Sequence, residues 1–299
     1  MLNKKDSELK LPSYGGQALI EGVLMRGSRF LAAVFRAPDG TIVTQTEKLT
    51  GLYTTKIVKI PFLRGLIILW DALGLGTKYL TISANIQAGE DEKIEGSALT
   101  LTLLISFAVA IGLFFLAPAG IATLFEKWFS LTAFASNMIE GFIRLAFTIG
   151  YIWLVGKMPD IKRVFSYHGA EHKTINAFEA SAPMEISGIR PFSVYHPRCG
   201  TGFIVILMVI SIILFALLGP IPNIFIKLLS RILLIPVLVM VAYEYMKFSA
   251  NHFDHPVLKY LSSINMAMQR LTTVEPSDDM IEVAKTAFET MYKLENPTI

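Results

Sequence analysis

The sequence predicts a polytopic α-helical membrane protein. The expectation is about four transmembrane helices, an interfacial or re-entrant helix, a small N-terminal β-hairpin and cytoplasmic helices. Three observations carry it. Hydrophobic residues make up 53% of the 299 residues and charged residues 17%, with mean hydropathy +0.52, against about 25% charged in an average globular chain. Four long apolar stretches run through the chain, and the basic residues lie almost wholly outside them. The same composition excludes disorder, because there is ample apolar side chain to bury. A net charge of +3 is not the footprint of a nucleic-acid binder, and the single Cys199 excludes a disulfide framework within the chain.

In chain order, the first ten residues, MLNKKDSELK, are polar and offer no apolar core or cleavage site, so no signal peptide is expected. Glycines then bracket Gln17, Glu21 and Arg26 between Gly15 and Gly27. Glycine allows close backbone approach and positive φ. Gln17 and Glu21 share a face if the segment is helical, and it lacks the spacing of a nucleotide-binding loop. Phe30–Arg36 and Thr41–Glu47 flank Ala37-Pro38-Asp39-Gly40, which reads as a hairpin. Ile57–Leu80 is apolar but broken by Pro61, Gly65, Gly74 and Gly76, and carries Arg64 and Asp71 on roughly one face. Its uninterrupted run is too short to span, so it reads as interfacial or re-entrant. Glu90–Glu95 is a solvated charge run.

The four apolar stretches are Ala98–Ala119, Ile139–Gly156, Phe203–Gly219 and Ile224–Tyr245. A bilayer core of about 30 Å needs about 20 apolar residues in a helix. The first and third are clean; the second carries Glu140 and Arg144, the fourth Lys227 and Arg231. Four spans put the N-terminus, the loop 157–202 and the C-terminus on one side. That side holds 23 of the 27 Lys and Arg residues, so it is expected to be cytoplasmic. Near the C-terminus, Ser277 is a good N-cap with Asp278 and Asp279 in the first turn. Met280, Ile281, Ala284, Ala287, Phe288 and Met291 follow as an apolar stripe that needs a partner face. The expected division is 1–56, a cytoplasmic N-terminal segment; 57–97, the interfacial helix and charged linker; 98–156, a first helix pair; 157–202, a cytoplasmic loop; 203–246, a second helix pair; and 247–299, a cytoplasmic helical tail.

All five histidines fall outside the apolar stretches. His168 and His172 stand at i and i+4, so on a helix both imidazoles project from one face. Two such rings can reach one ion, and Glu171 between them matches the arrangement in which a carboxylate acts as general base. Two exposed histidines on an amphipathic helix would carry the same letters. Tyr195-His196-Pro197-Arg198-Cys199-Gly200 places two more ligand types, His196 and Cys199, in a turn before the third stretch; a structural turn with a small buried cysteine is the bland reading. Glu244 ends the fourth stretch, where a carboxylate is expected to be paired or liganding. His252, Asp254 and His255 read as an exposed linker.

GGQALIEGVLMRG, YHGAEHKTINAFE, HPRCGTGF, YEYMKFSAN and QRLTTVEPSDDMIEVA together resemble the bacterial YqhQ-like membrane family of unknown function, often labelled predicted metal-dependent enzymes. The resemblance runs from about Ser13 to Phe288. By position it points to Gln17 and Glu21, then His168, Glu171 and His172, then His196, Arg198 and Cys199, and finally Glu244, Gln269 and Arg270. The chain departs from the pattern at Gly202 and Val274. The resemblance implies a divalent metal in a bacterial cell membrane, multi-pass, and no reaction comes with it.

Two functional readings follow. In the first, zinc is held by His168 and His172 with His196 or Glu244 as third ligand and Cys199 as a further candidate. Glu171 is then the general base, and Arg198 stabilises anionic charge. Such a hydrolase at the bilayer surface would act on a lipid, a lipid-linked intermediate or a membrane-proximal peptide, with Gln17 and Glu21 as binding residues. In the second, the metal is structural and the protein is a transporter, scramblase or scaffold; four spans are few for a transporter, so that reading predicts a homo-oligomer. A third, weaker reading makes Cys199 a redox or metal sensor.

Overall fold

The computed structural model of the chain describes residues 14–51, 55, 57, 60–89, 96–197, 199–221, 223–251 and 266–297. The Glu90–Glu95 charge run, Arg198, and His252, Asp254 and His255 lie outside them.

The glycine-bracketed segment is not helical. It forms β1 (Gly15–Leu19) and β2 (Gly22–Arg26), which join β3 (Phe30–Arg36) and β4 (Ile42–Lys48) in an antiparallel meander of order β1-β2-β3-β4. The expected hairpin is β3–β4, with Phe30 opposite Lys48 and Arg36 opposite Ile42. Glu21 turns the chain between β1 and β2 with φ 49. The sheet alternates with the two-residue period of a strand. Val23, Met25, Ala32 and Val34 enter one core, shared with α5 (Pro159–Glu179) and α11 (Asp278–Glu295). Leu19, Leu24, Leu31, Ala33 and Phe35 enter the other, under Leu75, Tyr79, Ile82 and Ile86 of α1 (Leu63–Ala88).

The stripe of α11 thus finds its partner in the sheet and α5. Each large side chain buried there contributes about 1.5–3 kcal/mol, and Tyr14 packs edge-on against Phe178 and Phe288 at 5.5 and 5.4 Å. Ser277 does hold the N-cap position of α11, but with its carbonyl accepting from Met280 and Ile281 and no side-chain cap bond. At the far end, Glu295 fastens the β2–β3 turn: it accepts from the backbone N–H groups of Arg29 and Phe30 at 2.5 and 2.8 Å and from Ser28 Oγ at 3.0 Å.

α1 is one unbroken helix of 26 residues, not the interrupted element its glycines suggested. Two of those glycines, Gly65 and Gly76, serve close approach instead. A Cβ on Gly65 would stand 3.1 Å from Met240 Cα, and one on Gly76 would stand 2.8 Å from the Gln17 carboxamide oxygen.

The remaining helices are mostly apolar. α2 (Gly96–Ile111) runs through a π-helical turn, Gly112–Leu116, into α3 (Ala117–Phe129). Pro118 has no N–H for the Phe114 carbonyl, and Arg144 Nε donates to it at 3.0 Å instead. Then come α4 (Ala133–Val155), the short α6 (Ile186–Ile189), α7 (Thr201–Leu217), α8 (Ile224–Leu233) and α9 (Ile235–Asn251). Residues 266–272 are helical, α10. Among the described residues Gly96–Phe129 and Ala133–Val155 are each long and apolar enough to cross a membrane. The fourth expected span is broken by a 42° bend into α8 and α9 and makes a third if counted as one, while α7 is shorter, at 17 residues. The bend falls beside Pro236, which cannot donate to the ladder.

Polar side chains of α4 and α8 turn inward and apolar ones outward. Asn137, Glu140, Arg144, Lys227 and Arg231 are buried, while Phe142, Leu154, Phe225 and Leu233 are exposed.

Candidate metal centre

α5 begins with Pro159 in its first turn, followed by Asp160 against the positive end of the helix. Two flanking segments are fastened along it. Lys173 Nζ donates to the carbonyls of Arg190 and Phe192, both at 2.7 Å, and Asn176 Nδ2 to those of Ser193 and Tyr195 at 2.8 and 3.0 Å. On the other side, Val274 N–H donates to the Phe165 carbonyl at 3.0 Å. Gly169 makes this passage possible: a Cβ there would lie 2.2 Å from the Val274 carbonyl oxygen. The first attachment delivers the Val194 carbonyl and brings in His196 and Cys199; the second delivers the Thr272 carbonyl.

His168 and His172 then stand one turn apart with ring centroids 4.3 Å from each other. His168 Nδ1 meets the Thr272 carbonyl at 2.8 Å, and His172 Nδ1 meets the Val194 carbonyl at 2.6 Å. A carbonyl only accepts, so Nδ1 carries the proton in each ring, and in a neutral ring Nε2 keeps its lone pair. Burial depresses the His172 pKa to about 3, which keeps that ring neutral. His168 Nε2 lies 3.2 Å from Cys199 Sγ, and His172 Nε2 is buried with no hydrogen-bond partner. One donor atom from each of His168, His172 and Cys199 lies within 4.8 Å of the other two. Nδ1-to-carbonyl bonds that leave Nε2 free are how metal-ligating histidines are oriented. The N₂S donor set suits zinc, with Zn–N about 2.0–2.1 Å and Zn–S about 2.3 Å.

Glu171 is buried beside this group, accepting from Gly16 N–H, and burial pushes its pKa up to about 7. Cys199 sits just before the N-terminus of α7, with Thr201 Oγ1 at 3.1 Å from Sγ; burial raises its thiol, and a cation at Sγ would favour the thiolate. A pocket of about 290 Å³ opens on these groups, lined by His168, Glu171, Cys199 and Thr201 together with Gln17, Val164 and Phe165.

The family described as Protein of unknown function (DUF1385) matches residues 60–294. The chain belongs to that family. It is 35% identical to the uncharacterized protein YqhQ of Bacillus subtilis (strain 168), over 95% of this chain and 93% of the other. No solved structure matches. The family match contains all three residues of the His–His–Cys group, while Gln17 and the sheet lie outside it but within the span of the YqhQ likeness.

Several expected site residues are placed elsewhere. Glu244 does not join the group as third ligand: it receives Arg64 through both carboxylate oxygens, with Nε at 2.6 Å from Oε1, and accepts from Phe62 N–H at 2.9 Å, tying α9 to the start of α1. Glu21 likewise does not line the pocket. Its carboxylate receives Arg163 and the Tyr167 hydroxyl, and Arg163 holds its pKa below the ordinary value. His196 is near without joining. Its ring is 5.7 Å from that of His172, and its Nε2 makes no hydrogen bond, the Glu179 carboxylate standing 3.5 Å away. Gln269 explains its position: the carboxamide accepts from His196 N–H at 2.9 Å and donates to His196 O at 2.8 Å. Gln17 lines the pocket. The carbonyls of Thr272 and Val194 were missed, because a main-chain acceptor leaves no letter in a sequence.

Proposed function

We propose that the protein is a multi-pass membrane hydrolase. In this reading a divalent metal, zinc by its donors, is held by His168, His172 and Cys199 on the cytoplasmic face. The observation that carries it is the pair of Nδ1-to-carbonyl bonds that leave Nε2 of both imidazoles available beside one thiol, with His168 Nε2 3.2 Å from Cys199 Sγ at the wall of a pocket. Three protein donors leave a tetrahedral cation one open position, the pattern of a catalytic rather than a structural site. When bound, the metal supplies Lewis acidity to a substrate carbonyl or phosphoryl oxygen. Glu171, beside the ligands in the pocket wall, is placed to act as general base. The Gln17 carboxamide and Thr201 hydroxyl orient the substrate, and Val164 and Phe165 receive an apolar portion of it. A lipid or lipid-linked substrate fits that lining.

Four crossings, α2–α3, α4, α7 and α8–α9, place the N-terminal sheet, α5 and the C-terminal helix together in the cytoplasm. The charge distribution supports this, as do the inward polar and outward apolar faces of α4 and α8, the arrangement of ionisable residues in a lipid-surrounded bundle.

The test is metal analysis of the purified full chain. One equivalent is expected in the wild type and in Glu171→Gln and His196→Asn, and substoichiometric metal in His172→Ala and Cys199→Ser. Absence of stoichiometric metal from the wild type overturns the reading. Glu171→Gln is expected to keep its metal and lose hydrolytic activity; full activity in that variant overturns Glu171 as the general base.

A further inference from the structure

The inward face of α4 and α8 carries more positive than negative charge. Glu140 is fully buried, and Arg144, Arg231 and Lys227 gather round it at 2.6, 2.9 and 4.0 Å. The other nearby carboxylate, Glu126, is 3.8 Å from Lys227 and 39% exposed. Excess buried charge is costly in an apolar surrounding unless it meets a counter-charge. The two arginines are well partnered: Arg144 reaches Phe114 O, Ser211 and Glu140, and Arg231 reaches Glu140, Asn137 and Ser230. Lys227 is not. Its ammonium has three donors, and among the described residues its hydrogen bond is to Thr123 Oγ1 at 3.2 Å. Ser136, one turn before Glu140 on the same face of α4 and 1% exposed, has a hydroxyl with no partner.

Lys227, Arg231 and Asn137 line a cavity of about 10 Å³ beside Gly219, room for one ligand oxygen. We propose that this is an anion site that accepts an oxygen of a phosphodiester, with Lys227 as its main donor and Arg231 behind it. Glu126 at the rim disfavours a dianion and so selects the singly charged diester over free phosphate. The surroundings fit a lipid headgroup as its source. Trp128, Phe129 and Phe134 are exposed at the α3–α4 turn, in the manner of aromatic side chains at headgroup level, and Phe225 and Leu229 are exposed on α8. The site lies beside Phe215 of α7, 14 residues and so about 21 Å along the helix from Thr201, which borders the other pocket. It rests on the membrane reading and not on the metal.

The test uses native mass spectrometry of the detergent-solubilised full chain. The chain is offered equimolar phosphatidylglycerol and an uncharged galactosyl diacylglycerol of the same chain length. The wild type is expected to retain the phosphatidylglycerol in about tenfold excess or more, the worth of one charge-assisted hydrogen bond. Lys227→Met abolishes the preference, whereas Lys227→Arg and the exposed-site control Lys127→Met keep it. Inorganic phosphate in a separate arm leaves the lipid bound; displacement at millimolar phosphate overturns the diester assignment in favour of a free anion. Equal retention of the two lipids by the wild type, or an undiminished preference in Lys227→Met, overturns the site. Neither result bears on metal content.

Discussion

Replacing Gly169 with alanine tests how α5 is seated and what that seating does for the histidines. The new Cβ would stand 2.2 Å from the Val274 carbonyl oxygen, where ordinary contact begins at 3.4 Å, so the linker before α11 must retreat by about 1.2 Å. Overpacking of this kind costs about 1–3 kcal/mol. The Val274-to-Phe165 hydrogen bond at 3.0 Å is strained with it, adding about 1 kcal/mol. Alanine returns about 1 kcal/mol through its better helix propensity, so the net loss is about 1–3 kcal/mol. The functional effect is larger. Thr272, whose carbonyl orients His168, is two residues from Val274 and moves with it. Loss of such an orienting bond lowers metal affinity about 10- to 100-fold. Thermal unfolding and zinc competition against a chromophoric chelator read the two effects separately. Gly120→Ala, inside α3 with open space around the new Cβ, is the control: it brings the same gain of about 1 kcal/mol in helix propensity without a clash and is expected to leave zinc affinity unchanged. Wild-type stability and zinc affinity in Gly169→Ala would refute the argument.

Glu295→Ala leaves the N–H groups of Arg29 and Phe30 without their acceptor and is expected to cost about 2–4 kcal/mol, measured by chemical denaturation. Glu140→Gln removes the carboxylate between Arg144 and Arg231, and an uncompensated buried charge costs about 3–5 kcal/mol. A fall in monodisperse yield on size exclusion is expected, partly restored when Arg144→Met is added. Glu21 has its pKa lowered by Arg163, so its contribution is present above the ordinary value of 4.5 and fades as pH falls through the lowered one. Glu21→Gln is therefore destabilised at neutral pH, and the gap in melting temperature closes on acidification; a gap constant with pH would contradict this.

The parts of the fold that were legible are those with a single dominant periodicity. The stripe of α11, the hairpin at 30–48 and the i, i+4 histidines each have one face to bury or to present. β1 and β2 were hidden for a physical reason. Val23, Leu24 and Met25 are buried on both faces of the sheet, so the alternation that marks a half-exposed strand is absent. Gly65 and Gly76 of α1 were read as breaks when they are close contacts with α9 and Gln17, a tertiary fact no local pattern contains. The bend between α8 and α9 did have a signal, Pro236, overridden by the length of the apolar run. In the site, the histidine pair could be read from spacing, and Cys199 only as one of several candidate ligands. Choosing among His196, Glu244 and Cys199 could not, since it depends on Gln269 holding the His196 backbone and Arg64 claiming Glu244. Two of these partners, Gln269 and Arg64, lie 73 and 180 residues away along the chain.

The most direct measurement is X-ray absorption at the zinc edge on the purified, zinc-loaded full chain. A mixed shell is expected, with nitrogen or oxygen scatterers at about 2.0–2.1 Å and one sulfur at about 2.3 Å, the sulfur disappearing in Cys199→Ser. A shell of nitrogen and oxygen alone in the wild type would contradict the assignment of His168, His172 and Cys199 to one cation.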